Sequence, residues 1–344
     1  MAERKTNIEF ANLHVRVGEN GLLDVFDEIV WPALSDQGKV RRYGNTTYLF
    51  KEVKGVLLDL NGEDELAIGG RFVQDTTLTR EQVLDKRTGD LKTDPSTLES
   101  APSAFFVILL SSHRLIYAPE TTHPPKASSF ASTLKNFLRQ SRDSLIEHRY
   151  AKGATPDEEE NIRQKVTKKE LRKLYPKPEV SLVHLSSEDD LQSFISRFRK
   201  ITQVEITLEE TNHEWGVEDL YRRLREEKES YGSRKTKIQH TARTKDGITP
   251  DAARERLPKI VQGGTNRVSV SGEDAQGDAL KGDNKDFRLR TPVDELGSTT
   301  RSKIKNSADA LVDLVKSGFI ELPQPSQSVR EAVRRIADRY LNDE

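Results

Sequence analysis

Seven consecutive apolar residues, Ala104-Phe105-Phe106-Val107-Ile108-Leu109-Leu110, stand out in a chain whose other strand-like segments alternate. A bilayer crossing takes roughly 20 apolar residues in a helix, so this run is far too short to span one. It suits a strand buried on both faces at the centre of a sheet. Leu115-Ile116-Tyr117-Ala118-Pro119 predicts a neighbouring strand that leaves the sheet through a proline, which has no N–H for a ladder. Near the start, residues 7–17 alternate and predict a strand. Leu22, Leu23, Phe26, Ile29 and Val30 then predict a helix that stops near Pro32. Residues 46–50, 55–60 and 66–73 read as members of a strand meander, with turn chemistry at Gly44-Asn45 and Asn61-Gly62.

A long helix follows over residues 126–150. Phe130, Leu134, Phe137, Leu138, Ser141 and Leu145 recur at three- and four-residue spacing, the face that packs on a sheet. Lys152-Gly153-Ala154 predicts a domain boundary, and Thr155-Pro156-Asp157-Glu158 carries the chemistry of a helix start. Beyond it, strand-like 179–185 and 204–208 alternate with helices opening at Ser187 and spanning 217–229. Residues 267–271 and 286–290 read as two strands of a long hairpin. Two helices close the chain. One holds Ile304, Ala308, Leu311, Leu314 and Val315; the other opens on the capping box Ser328-Val329-Arg330-Glu331. The expected fold class is α+β, with an antiparallel sheet and packed helices over 1–153. A smaller mixed α/β unit follows over 154–344, with a long hairpin and C-terminal helices.

Composition narrows the chemistry. The 344 residues include no cysteine, which removes disulfides, thiolate zinc sites and cysteine nucleophiles. No signal-peptide apolar region or membrane-length run is present, so a cytoplasmic protein without direct membrane insertion is expected. Net charge is -1 but unevenly spread: residues 126–260 carry 28 Lys/Arg against 23 Asp/Glu, and residues 1–125 carry 14 against 19. A basic middle permits a polyanion-binding surface.

Enzyme signatures are missing. The chain has no Walker-type loop, no G-x-G-x-x-G between strand and helix, no H-E-x-x-H and no G-x-S-x-G elbow. Its seven histidines do not recur at metal-ligand spacing. The reading is of a protein without a cofactor or resident metal, and not of an enzyme. One alternative stays open: Asp59, Asp90 and Lys92 supply the two carboxylates and lysine that a metal-dependent nuclease needs.

Cationic rows are the other candidates. Lys135, Arg139, Arg142 and Arg149 follow one helix face and can track a phosphate backbone. Arg222, Arg223, Arg225 and Lys228 form a second cluster that continues into Arg234, Lys235 and Lys237, with Tyr231 among them. A third, Lys165, Lys168, Lys169, Arg172 and Lys173, faces neutralisation by Asp157 to Glu160 and Glu170. No DNA-reading module is present, so phosphate contacts are expected to dominate and sequence preference to be slight.

The strand at Phe105–Leu110, the exit Leu115-Ile116-Tyr117-Ala118-Pro119 and the helix with Phe130, Thr133, Phe137 and Leu138 resemble the central region of the phage lambda exclusion protein A family and related phage-defence proteins. Val268-Ser269-Val270 and Phe287-Arg288-Leu289 are similar in place and pattern to its late hairpin. The resemblance covers residues 98–138 and 265–292 and offers no short motif through which a functional residue carries over. It implies a two-domain α+β protein that forms a homodimer, binds DNA with little sequence specificity, senses infection and acts with a separate membrane-protein effector in phage exclusion or abortive infection. The remaining alternative is a protein-interaction subunit of a defence complex.

Overall fold

The computed structural model describes residues 5–60, 62–152, 167–208, 219–233, 235–261, 264, 266–320, 322 and 324–341, without the side chains of 219–222, 225 and 229. The fold is α+β, with one large curled antiparallel sheet, one smaller sheet and helices at the C-terminal end.

Strand β1 (Thr6–Val17) leads through the two-residue β2 (Asn20–Gly21) into a π-helical turn at Phe26–Val30. The Val30 N–H donates to the Val25 carbonyl five residues back, at 3.1 Å. This replaces the expected helix over residues 22–30. Pro32 does not stop a helix but opens the short α1 (Trp31–Ser35), where its missing N–H costs nothing.

Next come β3 (Arg41–Tyr43), β4 (Thr46–Leu60), β5 (Glu63–Leu84), β6 (Leu91–Ser100), β7 (Ser103–Leu109) and β8 (Arg114–Pro119). The segments expected as separate strands at 46–50 and 55–60 are one strand, broken in register between Lys51 and Lys54 where Glu52 takes a φ of 54°. The large sheet runs from a strand at Arg290–Val293 (β14) through β1-β8-β7-β5-β4-β3. As the apolar run predicts, β7 is buried on both faces: Ala104, Phe106 and Ile108 enter one core, and Phe105, Val107 and Leu109 enter the other.

On the first face lies α2 (Ala127–Lys152), seated by Phe130, Leu134, Phe137, Leu138 and Ile146. Phe50, Phe72, Phe106, Phe130 and Phe137 form an aromatic cluster with ring centroids 5.0 to 5.7 Å apart. Such pairs each add about 1 kcal/mol beyond their burial.

The second half of the chain begins with α3 (Lys168–Leu174), β9 (Glu179–His184) and α4 (Glu188–Ile195). It continues through β10 (Phe198–Leu208), α5 (Asp219–Ser230), β11 (Thr236–Thr241) and α6 (Pro250–Val261). Then come β12 (Asn266–Asp274), β13 (Ala279–Asp283), β14 (Arg290–Val293), α7 (Thr300–Lys316) and α8 (Gln327–Leu341). The helix start expected at Thr155 lies outside the described residues.

The smaller sheet, β11-β10-β12-β13, packs its Val204, Ile206, Val268 and Val270 face on α4 and α6. The hairpin partner of β12 is β13, not the segment at 286–290. Phe287 and Leu289 are buried in cores, and Arg290 onward forms β14, which pairs with Thr6–Glu9 of β1. β9 pairs with Ala11–Arg16 of β1. Two segments beyond residue 153 therefore complete the sheet begun by residue 6.

The second face of the large sheet is covered by α7. A Cβ on Gly69 would lie 2.4 Å from Ile304 Cγ1, so the bare backbone there lets the helix approach. Lys303 pairs with Glu120, whose carboxylate also accepts from Ser103 Oγ at 2.9 Å and from Arg71 Nε at 3.1 Å. Burial pushes the Glu120 carboxyl up, but these donors outweigh it and hold it below the usual range. The α8 cap is Ser326, whose hydroxyl accepts from the Val329 N–H at 3.3 Å, and not the expected Ser328.

Candidate nucleic-acid interface

Charged positions on α2 separate by what lies beneath them. Its apolar stripe is spent on the sheet, which turns Lys135 and Arg139, one helical turn apart, outward. They line one wall of a groove with a volume of about 950 Å³. Arg172 of α3 with Pro176, Lys177 and Pro178 forms the other wall, and Arg16 and Gly18 also line it. Gly18 has a φ of 68°, and a Cβ there would sit 3.0 Å from Pro176 Cγ, so glycine permits both the turn and the close approach.

Among the described residues six cations line this groove (Arg16, Lys135, Arg139, Arg142, Arg172 and Lys177) against the carboxylates Asp143, Glu147 and Glu179. The carboxylates are partly occupied. Asp143 accepts from Arg142 Nη1 at 2.5 Å and lies 3.9 Å from Arg139 Nε, while Glu147 pairs with Lys168 at 2.6 Å. Among the described residues, Lys135, Arg172 and Lys177 have no ion-pair or side-chain hydrogen-bond partner, and all three are exposed. Among the described residues no aromatic side chain lines the groove, so they offer no stacking platform for bases.

The rest of the expected α2 row does structural work. The Arg142 side chain is only 7% exposed, and its Nε donates to the Tyr175 carbonyl at 2.8 Å. Arg149 pairs with Glu28 and places its guanidinium 5.3 Å from the Tyr175 ring centroid. Both tie α2 to the end of α3, which carries the second wall.

The described part of the second cluster is not joined to this groove, whose lining includes none of the described residues of 219–241. Arg223 and Lys235 are exposed, Lys228 is buried, and Lys237 pairs with Glu205 at 2.8 Å. Hydrogen bonding from Lys237 and the nearby charges of Lys281 and Lys235 hold the Glu205 carboxyl below its usual range. The side chains of Arg222 and Arg225, and the whole of Arg234, lie outside the described residues. From the third cluster, Lys168 pairs with Glu147 of α2 and not with the expected Glu170, which accepts from Thr167; Asp157 to Glu160 lie outside the described residues, and Arg172 has no ion-pair partner among the described ones. Lys165 is outside the described residues.

The nuclease triad does not assemble. Asp59 sits opposite Asp64 and accepts from the Gly62 N–H at 2.7 Å, closing a turn. Lys92 sits opposite Val83 and pairs with Asp85. From Asp64 to Val83 the strand β5 runs about 60 Å at roughly 3.3 Å per residue. Among the described residues no group of three metal-ligating side chains converges.

Sequence reasoning missed Arg16 and Lys177. Lys177 stands between two prolines, a spacing that presents a side chain on extended backbone. Arg16 ends a strand opposite Glu179 and gives no signal by itself. No helix among the described residues is long and apolar enough to cross a membrane. Compared with known protein families and with curated proteins, the chain matches none.

Proposed function

We propose that the protein binds the phosphate backbone of DNA in the groove between α2 and α3, with little sequence preference. The observation that carries the reading is the set of three exposed cations, Lys135, Arg172 and Lys177, on the two walls of one groove and without partners among the described residues. Arg139 and Arg16 extend the same lining. Without aromatic side chains among the described lining, the contacts fall on phosphate and sugar, not on bases. Arg142 and Arg149 support the walls and make no contact in this reading.

Binding to random duplexes, measured by anisotropy at several salt concentrations, tests it. Three to five phosphate contacts give a slope of log K against log salt of about -3 to -4.5. Binding that is absent at low salt, or indifferent to salt, overturns the proposal. The family resemblance adds a setting: a homodimer in phage defence, acting with a separate membrane-protein effector. Plating efficiency of phage on cells carrying the wild-type gene or a Lys135→Glu, Arg172→Glu form tests that part separately.

A further inference from the structure

Beyond Thr76, β5 leaves its neighbours β4 and β7 and continues only with β6, as a two-stranded arm tipped by residues 85–90. Four leucines project from it: Leu78, Leu84, Leu91 and Leu98 are 51%, 59%, 68% and 65% exposed. Leu78 stands directly opposite Leu98 and Leu84 directly opposite Leu91. Residues 78 and 84 are an even number apart on one continuous strand, so both pairs lie on the same face. The register shift between Arg80 and Gln82 falls on the β6 side, at Asp94-Pro95. Between the two leucine pairs that face also carries Arg80 opposite Ser96 and Gln82 opposite Thr93, while the other face carries Thr77, Thr79, Glu81 and Val83 with Lys92.

A two-stranded ribbon is marginal in water without a third strand or a packed face. This arm therefore exposes the one surface it needs covered. We propose that a second copy of this chain covers it, with the two leucine faces packed antiparallel about a two-fold axis. It rests on the homodimer part of the reading above, to which it assigns a surface, and is independent of the phosphate part.

Three features select that occupant. The leucine pairs are about 20 Å apart at roughly 3.4 Å per residue, so in an antiparallel stack the inner pair of each arm meets the outer pair of the other. Between residues 78 and 98 the arm carries Arg80, Lys86, Arg87 and Lys92 against Glu81, Asp85, Asp90 and Asp94. Arg80 pairs with Asp94 at 2.6 Å and Lys92 with Asp85, so self-association brings no like-charge penalty and a polyanion gains nothing. Pro95 has no N–H, which interrupts the β6 edge and favours face packing over strand addition. The apolar contact is confined to two leucine pairs at the ends of the face, with Arg80 and Gln82 between them, far below the roughly 1,200 Å² of a stable interface, so the dimer is weak and reversible.

Sedimentation velocity of the full chain across about 1 to 200 μM tests this, a range in which a weak dimer of micromolar Kd forms. The wild type shifts from monomer toward dimer mass with concentration. The variant Leu84→Arg, Leu91→Arg, checked for an unchanged circular dichroism spectrum, stays monomeric. The chain has no cysteine, so a mixture of Leu78→Cys and Leu84→Cys proteins can be joined with a short bismaleimide. The mixture yields several-fold more covalent dimer than either protein alone. Three results overturn the inference: a monomer throughout, equal cross-linking in the single proteins, or self-association that survives the arginine substitutions. Leucine-dependent sedimentation of a monomer with phosphatidylcholine vesicles overturns it too, in favour of a lipid surface. Lys135→Glu, Arg172→Glu leaves the sedimentation unchanged, which separates this result from the DNA reading.

Discussion

The groove and the arm are both surfaces left unsatisfied by the fold, but in opposite currencies. In the groove, cations outnumber carboxylates among the described residues, and the carboxylates Asp143 and Glu147 are already engaged. On the arm, acids and bases balance and two ion pairs join them, leaving exposed leucines. A surface with leftover charge attracts at a distance and weakens with salt; one with leftover apolar area acts only on contact and strengthens with salt. Salt therefore separates the two, because it opposes DNA binding and supports self-association.

The largest effect is expected from reversing the groove. Lys135→Glu, Arg172→Glu, Lys177→Glu lowers affinity for random duplexes by about a hundredfold or more at low salt and flattens the salt slope by about 2.7. The same substitutions leave sedimentation unchanged. If affinity is retained, the groove is not the DNA site.

Arg142→Ala tests whether the buried arginine supports the walls. It leaves the Tyr175 carbonyl without its donor and costs about 2 to 3 kcal/mol in urea-unfolding stability. Arg142→Lys does not restore it, because an ammonium cannot reproduce the fork. A variant of wild-type stability with weakened DNA binding reverses the assignment and makes Arg142 a phosphate contact.

Glu65 gives a pH test outside both surfaces. Burial pushes its carboxyl up to about 7, against hydrogen bonds from the Ser111 hydroxyl, the Ser111 N–H at 2.9 Å and the Leu110 backbone. A raised folded value favours the protonated form. The stability it contributes is whole below about 4.5 and declines as pH rises toward 7, by about 3 kcal/mol in all. Glu65→Gln removes that decline from a series of unfolding curves between pH 4.5 and 8. An unchanged slope assigns the pH dependence elsewhere.

The smallest effect is on the arm. Leu84→Arg, Leu91→Arg changes monomer stability by no more than about 0.5 kcal/mol, since both side chains are mostly exposed. It leaves duplex affinity per chain unaltered. A large loss of stability in dilute protein means that the arm packs on its own body.

Much of the architecture is legible in the sequence where burial is one-sided or complete. The apolar run of β7 and the 3.6-residue stripe of α2 read directly, because each periodicity reports what the element packs against. The arm does not read, because residues 77–84 and 91–98 face solvent on both sides and carry no alternation. Its only hint is the threonine-rich Thr76-Thr77-Leu78-Thr79, suited to extended backbone. The late hairpin misleads for a related reason. Gly282 of β13 lacks a side chain because a Cβ would lie 2.3 Å from Phe194 Cζ, so the true strand looks like a loop. Phe287 and Leu289 imitate a strand while filling cores. Half of the groove was equally hidden. Lys135 and Arg139 follow from helical spacing, but Arg172, Lys177 and Arg16 meet them only through tertiary contacts.

The pairing of Thr6–Glu9 with Arg290–Val293 has a consequence for biosynthesis. At about 5 to 20 residues per second, the earliest strand to leave the ribosome waits some 15 to 60 seconds for its last neighbour to be made. Throughout that interval one edge of the nascent sheet stands open to other polypeptides. Until Arg290–Val293 arrives, the Thr6–Glu9 edge is therefore the part of the nascent sheet most open to pairing with another chain.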